Sequence, residues 1–205
     1  LEKIIEAVLD SIPKMGLVEV EVSARHVHLS QHDLEILFGD KAMLTPKRDL
    51  SQIGQFLSEE RVNLIGPKGR KERIAVLGPV RGDTQVELSK NDCVDLGVKA
   101  PLRESGDVEG SGSIVIEGPC ASIEIKQGVI IAHKHVHVPT DLAKTLGFKD
   151  KQRVSVQIFS GRPVIFKDVI IRISDMARFR MHIDFDEANA AAVSGFTLGQ
   201  ILWKK

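Results

Sequence analysis

Residues 17–22, Leu-Val-Glu-Val-Glu-Val, put an apolar side chain at every second position, which predicts a strand with one face toward a core. The strand runs into Ser23-Ala-Arg-His-Val-His-Leu-Ser. A short helix follows, with Ser30 as its N-cap and Gly39 near its end. Residues 128–147 repeat this plan: an apolar strand, a basic residue, His-Val-His, an apolar residue, a helix start, Asp-Leu and a Gly stop. Both histidines of the first pair recur at an offset of 109 residues, His26 as His135 and His28 as His137. Ahead of the first copy, Leu1, Ile4, Ile5, Val8 and Leu9 fall on one face of a helix over residues 1–12, which Pro13 and Gly16 end. That helix either packs on its own domain or docks on a partner.

Further strands are predicted over residues 61–65, 73–77, 84–89, 113–117, 153–159, 164–166 and 169–173, punctuated by Gly and Pro. Two copies are too few for a solenoid. The pattern predicts a mainly β protein with short helices: two pseudo-symmetric β-barrel domains capped by short α-helices. A parallel α/β sheet would need more and longer helices. The expected division is a helix and linker over 1–16, a first barrel over 17–125 and a second over 126–205. The pattern leaves open which half takes the strand 17–22.

Composition narrows the function classes. The chain has 205 residues, 42% of them hydrophobic, with one Trp and no Tyr, so aliphatic side chains must fill the cores. A net charge of zero argues against nucleic acid as the main partner. No apolar run is long enough to span a membrane. Cys93 and Cys120 form no CxxC, and both are expected as ordinary buried thiols of a reduced cytoplasmic protein.

The candidate chemistry lies in the repeated pairs. Residues i and i+2 of a strand face the same way, so His26 with His28, and His135 with His137, can each aim two imidazoles at one ion. A catalytic zinc takes three protein ligands and keeps one position open. Glu87, in Thr84-Gln-Val-Glu-Leu-Ser, is the third donor expected for the first pair. His182, in Arg178-Phe-Arg-Met-His-Ile-Asp-Phe, is expected for the second. The competing reading is hydrogen-bonded histidines inside barrels. His133 and His32 are left out, the first because its repeat partner is Ala24. Arg81 stands in the turn entering the Glu87 strand, where a guanidinium can grip phosphate with two parallel hydrogen bonds; for most of the 28 basic residues a surface ion pair is the expected role. Two open metal sites point to metal-assisted hydrolysis or group transfer. The other readings are a dinuclear metallohydrolase and a non-catalytic, metal-stabilised scaffold.

Five stretches, in order along nearly the whole chain, resemble the PduL-type phosphate acyltransferases, or phosphate propanoyltransferases: Val22-Ser-Ala-Arg-His-Val-His-Leu-Ser, Leu50-Ser-Gln-Ile-Gly-Gln-Phe, Leu77-Gly-Pro-Val-Arg-Gly-Asp-Thr-Gln-Val-Glu-Leu-Ser, Ala132-His-Lys-His-Val-His and Met181-His-Ile-Asp-Phe-Asp-Glu-Ala-Asn. The resemblance implies two β-barrel domains with a dinuclear zinc site between them. It implies two zinc ions per chain, with His26, His28 and Glu87 as ligands in one set and His135, His137 and His182 in the other. It implies a phosphate contact at Arg81 and coenzyme A near Ser23, Leu77 and Asn189. It implies the reaction of acyl-CoA with inorganic phosphate, the acyl group being propanoyl or acetyl. It further implies a homodimer and packing inside a bacterial microcompartment that degrades 1,2-propanediol, directed by a short N-terminal helix such as residues 1–12. Lys134 stands where the family usually carries Arg, which departs from its pattern.

Overall fold

The structure, a computed structural model, describes residues 2–203, the side chains of Lys3, Ile4 and Leu9 excepted. It is mainly β, with five short helices among the described residues. In chain order these are α1 (Glu2–Lys14), β1 (Leu17–Val22), β2 (His26–His28), α2 (Gln31–Phe38), β3 (Pro46–Asp49), β4 (Phe56–Ile65), β5 (Arg70–Gly78), β6 (Gln85–Glu87), α3 (Lys90–Leu96), β7 (Leu102–Arg103), β8 (Gly112–Glu117), β9 (Ser122–Ala132), β10 (His135–Val138), α4 (Thr140–Leu146), β11 (Arg153–Phe159), β12 (Val164–Ile173), β13 (Arg180–Ile183), α5 (Phe185–Ala190) and β14 (Leu198–Leu202).

The chain divides into two compact units, residues 24–133 (unit I) and residues 1–23 with 134–205 (unit II). This differs from a division at residue 125, because β9 runs unbroken through that point and belongs to unit I. It also places the strand 17–22, which the sequence pattern left open: β1 belongs to unit II.

Unit II is a closed barrel in the order β1-β13-β10-β12-β11-β14. In unit I the path runs β4-β5-β2-β6-β9, and β8 pairs with both β9 and β4, so the hydrogen-bonded path returns on itself; β3 and β7 flank it. The pairing senses match strand for strand. Each His-x-His strand pairs parallel on one side, β2 with β5 and β10 with β12. It pairs antiparallel on the other, β2 with β6 and β10 with β13. Beyond these, β6 pairs parallel with β9, and β13 parallel with β1. Each His-x-His strand is thus preceded in the chain by a strand that belongs to the other unit.

Period-two alternation explains which side chains go inward. In unit I, Val27, Val62, Leu64, Val76, Val86, Ile116 and Val129 form the core with Leu34 and Leu37 of α2. In unit II, Val18 and Val20 of β1 join Val136, Val156, Ile158, Ile171, Met181 and Ile201. Val27 and Val136, the middle residues of the two His-Val-His motifs, are fully buried in these cores, so the histidines face the other way. Ser30 caps α2 by accepting from the Asp33 amide, as its sequence position predicts. Buried Asp92 accepts from Arg25 and pairs with Lys71, anchoring α3 against the sheet.

Two expectations need correction. Helix α1 does not stop at Pro13 but runs to Lys14, because a proline in the last turn removes only one hydrogen bond of a ladder already ending. Cys120 is exposed, since it lies in the Gly-Pro-Cys turn between β8 and β9; Cys93 is buried, and neither forms a disulfide. Of the apolar face of α1, Ile5 and Val8 are exposed; Leu1 lies outside the described residues.

Candidate metal centres

The first group is assembled by one strand pair. In β2 and β6, His26 lies opposite Glu87 and His28 opposite Gln85. Directly opposed residues share a face, so these four side chains form one patch. One ligand atom from each of His26, His28 and Glu87 lies within 4.8 Å of the others, and all three residues are buried. His26 Nε2 is 3.6 Å from Glu87 Oε2. His26 Nδ1 is 2.8 Å from the Ala24 carbonyl, which can only accept, so that ring nitrogen carries the donated proton. His28 is pushed down to about 2, by burial first and then by His26 and Arg81. The Leu77 backbone acts in the opposite direction, yet its geometry does not satisfy buried His28 Nδ1.

Arg81 is stitched to the same place. Its amide donates to the Leu29 carbonyl, one residue beyond His28, and Ser30 and Arg81 form an isolated parallel bridge. Its guanidinium donates to Ser105 Oγ at 3.0 Å.

The second group uses two strands of unit II, β10 and β13. His135 lies opposite His182 across β10 and β13, and His137 opposite Arg180. His135, His137 and His182 have ligand atoms within 4.8 Å of one another. His135 Nε2 and His137 Nε2 are 3.0 Å apart. His137 is pushed down to about 3, chiefly by burial and then by His182 and Arg172, against the pull of Glu21.

Glu21 was not singled out in the sequence. Its Oε2 lies 3.2 Å from His182 Nε2, and its Oε1 accepts from Arg180 Nε at 3.0 Å. The alternation of 17–22 already places Glu19 and Glu21 on one face; the missing information was that β13 is the neighbour, with Glu21 opposite His182. Gln85 and Ser105 were also missed, since a lone Gln or Ser carries no sequence signal.

The remaining expected residues are placed as follows. Half-buried Ser23 closes β1, its amide donating to the Ile183 carbonyl in unit II. Asn189 is exposed on α5 of that unit, and Leu77 is half-buried on β5 of unit I. Lys134 pairs with Glu187 at 3.1 Å, and Glu187 is raised above the usual carboxylate range by burial.

Both groups fit a borderline divalent ion. Each collects three donors of the kind zinc takes, the ring of one histidine in each is held neutral at pH 7, and in the first group one buried ring nitrogen, His28 Nδ1, has no hydrogen-bond partner. What fold and site define is a duplicated small-barrel protein, each unit carrying a three-donor group on paired strands.

Comparison with known proteins narrows this class. The family model for phosphate propanoyltransferase matches residues 19–194. The phosphate propanoyltransferase of Clostridioides difficile (strain 630) is 44% identical over 204 residues, covering 100% of this chain and 98% of that protein. The protein of the same name from Leptotrichia buccalis is 47% identical, covering 98% of this chain and 97% of its own. That of Thermotoga maritima is 49% identical, covering 85% and 84%. The chain belongs to the phosphate propanoyltransferase family and is an acyltransferase. No helix among the described residues is long and apolar enough to cross a membrane.

Proposed function

We propose that the chain moves a propanoyl group between coenzyme A and inorganic phosphate, and that both three-donor groups hold zinc. The observation carrying this reading is the first group itself: two buried imidazoles and a carboxylate, with the Arg81 guanidinium held beside them. Zinc held by His26, His28 and Glu87, and by His135, His137 and His182, supplies positive charge that polarises a carbonyl or holds an anion. Arg81 presents two N–H donors of fixed geometry to phosphate. Ser23, Leu77 and Asn189 are read as contacts to coenzyme A. A phosphate oxygen attacks the thioester carbonyl carbon; the carbon–sulfur bond then breaks, giving acyl phosphate and the thiolate of coenzyme A. Neither group contains a hydroxyl or thiol paired with a histidine base, which supports direct attack over a covalent acyl-enzyme.

The test mixes protein, propanoyl-CoA and phosphate and follows free thiol. Thiol release should require phosphate and yield propanoyl phosphate; release without phosphate would make the protein a hydrolase instead. Arg81→Ala should lower the rate by about 100-fold or more, the scale of losing one key donor to developing charge, with metal content unchanged. We also assign α1 to docking within a microcompartment, supported by exposed Ile5 and Val8. Removing residues 1–14 should leave turnover in the thiol assay intact, because α1 supplies no member of either group.

A further inference from the structure

Gln85 is a polar side chain buried to 1% exposure on the same strand face as Glu87. Its environment fixes which way its amide points. The Gly106 amide can only donate, and it reaches Gln85 Oε1 at 2.7 Å. The NH2 is therefore turned the other way, where it donates to Glu87 Oε1 at 2.7 Å and to Ser105 Oγ at 2.9 Å. Ser105 Oγ also accepts from Arg81 Nη1 at 3.0 Å. One amide thus touches the carboxylate of the metal-binding group, the loop at residues 105–106 and, through Ser105, the guanidinium proposed to hold phosphate.

We infer that Gln85 is a positioning residue that locks Glu87 and Arg81 into one rigid arrangement. With Oε1 of Glu87 held by Gln85, the other oxygen, Oε2, is the one turned toward His26. Outer hydrogen bonds of this kind orient metal ligands and tune their affinity. The pseudo-symmetric unit places Arg180 at the same register position, opposite the second histidine of its pair, and there too the residue grips a carboxylate, Glu21, that contacts a group member. The duplicated barrels therefore keep an outer clamp at this position while changing its chemistry from amide to guanidinium.

This inference rests on the metal and phosphate roles proposed above. Its test uses cobalt as the probe, read by visible absorption, in full-length protein carrying His135→Ala and His137→Ala so that only the first group takes up metal. Gln85→Leu removes every hydrogen bond of the amide; Gln85→Glu keeps the acceptor toward Gly106 but loses the donor to Glu87. Both should weaken cobalt binding by about 10–100-fold. In the otherwise unaltered chain, Gln85→Leu should raise the KM for phosphate by about tenfold. Ser105→Ala, at a half-buried loop position, should raise that KM while leaving cobalt affinity within about twofold. Equal cobalt affinity in parent and both Gln85 variants would overturn the inference alone. Absence of cobalt binding in the parent would overturn the metal reading together with it. An unchanged phosphate KM in Ser105→Ala would break the proposed link to Arg81, whatever the folding of the Gln85 variants.

Discussion

Neutral imidazoles buried side by side have a consequence for stability. With His28 pushed down to about 2 and His137 to about 3, the folded chain leaves both rings unprotonated at pH values where the unfolded chain, with histidines near 6.5, takes up protons. A depressed histidine is without effect while the unfolded chain's ring is also neutral, and it disfavours folding once that ring takes up a proton. Stability of the metal-free protein is therefore expected to be highest above pH 6.5 and to fall as pH drops toward 3. With two such rings the slope approaches about 2.7 kcal/mol per pH unit near pH 5. Urea unfolding of chelator-treated protein at pH 7, 6 and 5 measures it. His28→Ala with His137→Ala should flatten the slope, and an unchanged slope would place the titrating groups elsewhere. At this scale the sequence was most informative about ligand type. Two His-x-His pairs announce themselves because the spacing alone makes each pair share a face. Glu21, Gln85 and Ser105 gave no such notice, because their roles depend on which residue lies opposite.

Among elements, the exchanged strands decide which part of the chain each barrel depends on. β1 precedes the first His pair in the chain, yet Val18 and Val20 pack in the core that carries the second pair. β9 precedes the second pair, yet Val129 packs in the core that carries the first. Val20→Ala should therefore loosen unit II, by about 1–3 kcal/mol for two buried methyl groups and the cavity they leave. Val129→Ala should do the same to unit I. Hydrogen exchange resolves the two outcomes: Val20→Ala should reduce protection in residues 134–203 and spare 24–133, and Val129→Ala the reverse. If each variant loosened the unit nearest to it in sequence order instead, the strand assignment would be wrong. Period-two alternation made β1 legible as a strand with valines inward and glutamates outward. Its partner was not legible, because pairing with β13 is parallel and non-local and leaves no mark within the strand itself.

At the scale of the molecule, the two groups of three donors among the described residues lead to an expected stoichiometry of two metal ions per chain, falling to one in His135→Ala with His137→Ala. Metal analysis of purified protein checks this, and thermal unfolding gives an independent reading. A ligand bound only to the folded chain, at 100 times its dissociation constant, adds about 2.7 kcal/mol, so chelation should lower the melting temperature and added zinc restore it. The amino-acid sequence by itself determined the mainly β architecture, the duplication, the histidine pairs and Glu87, and the resemblance that the family match bears out. These are properties of spacing and local alternation, which the backbone imposes wherever the chain goes. Tertiary structure alone decided that the boundary falls after residue 133, that each barrel takes the strand preceding the other's histidines, and that Gln85 and Glu21 stand against the three-donor groups. Those outcomes depend on non-local strand register, where a side chain's neighbours come from distant positions that no local pattern encodes.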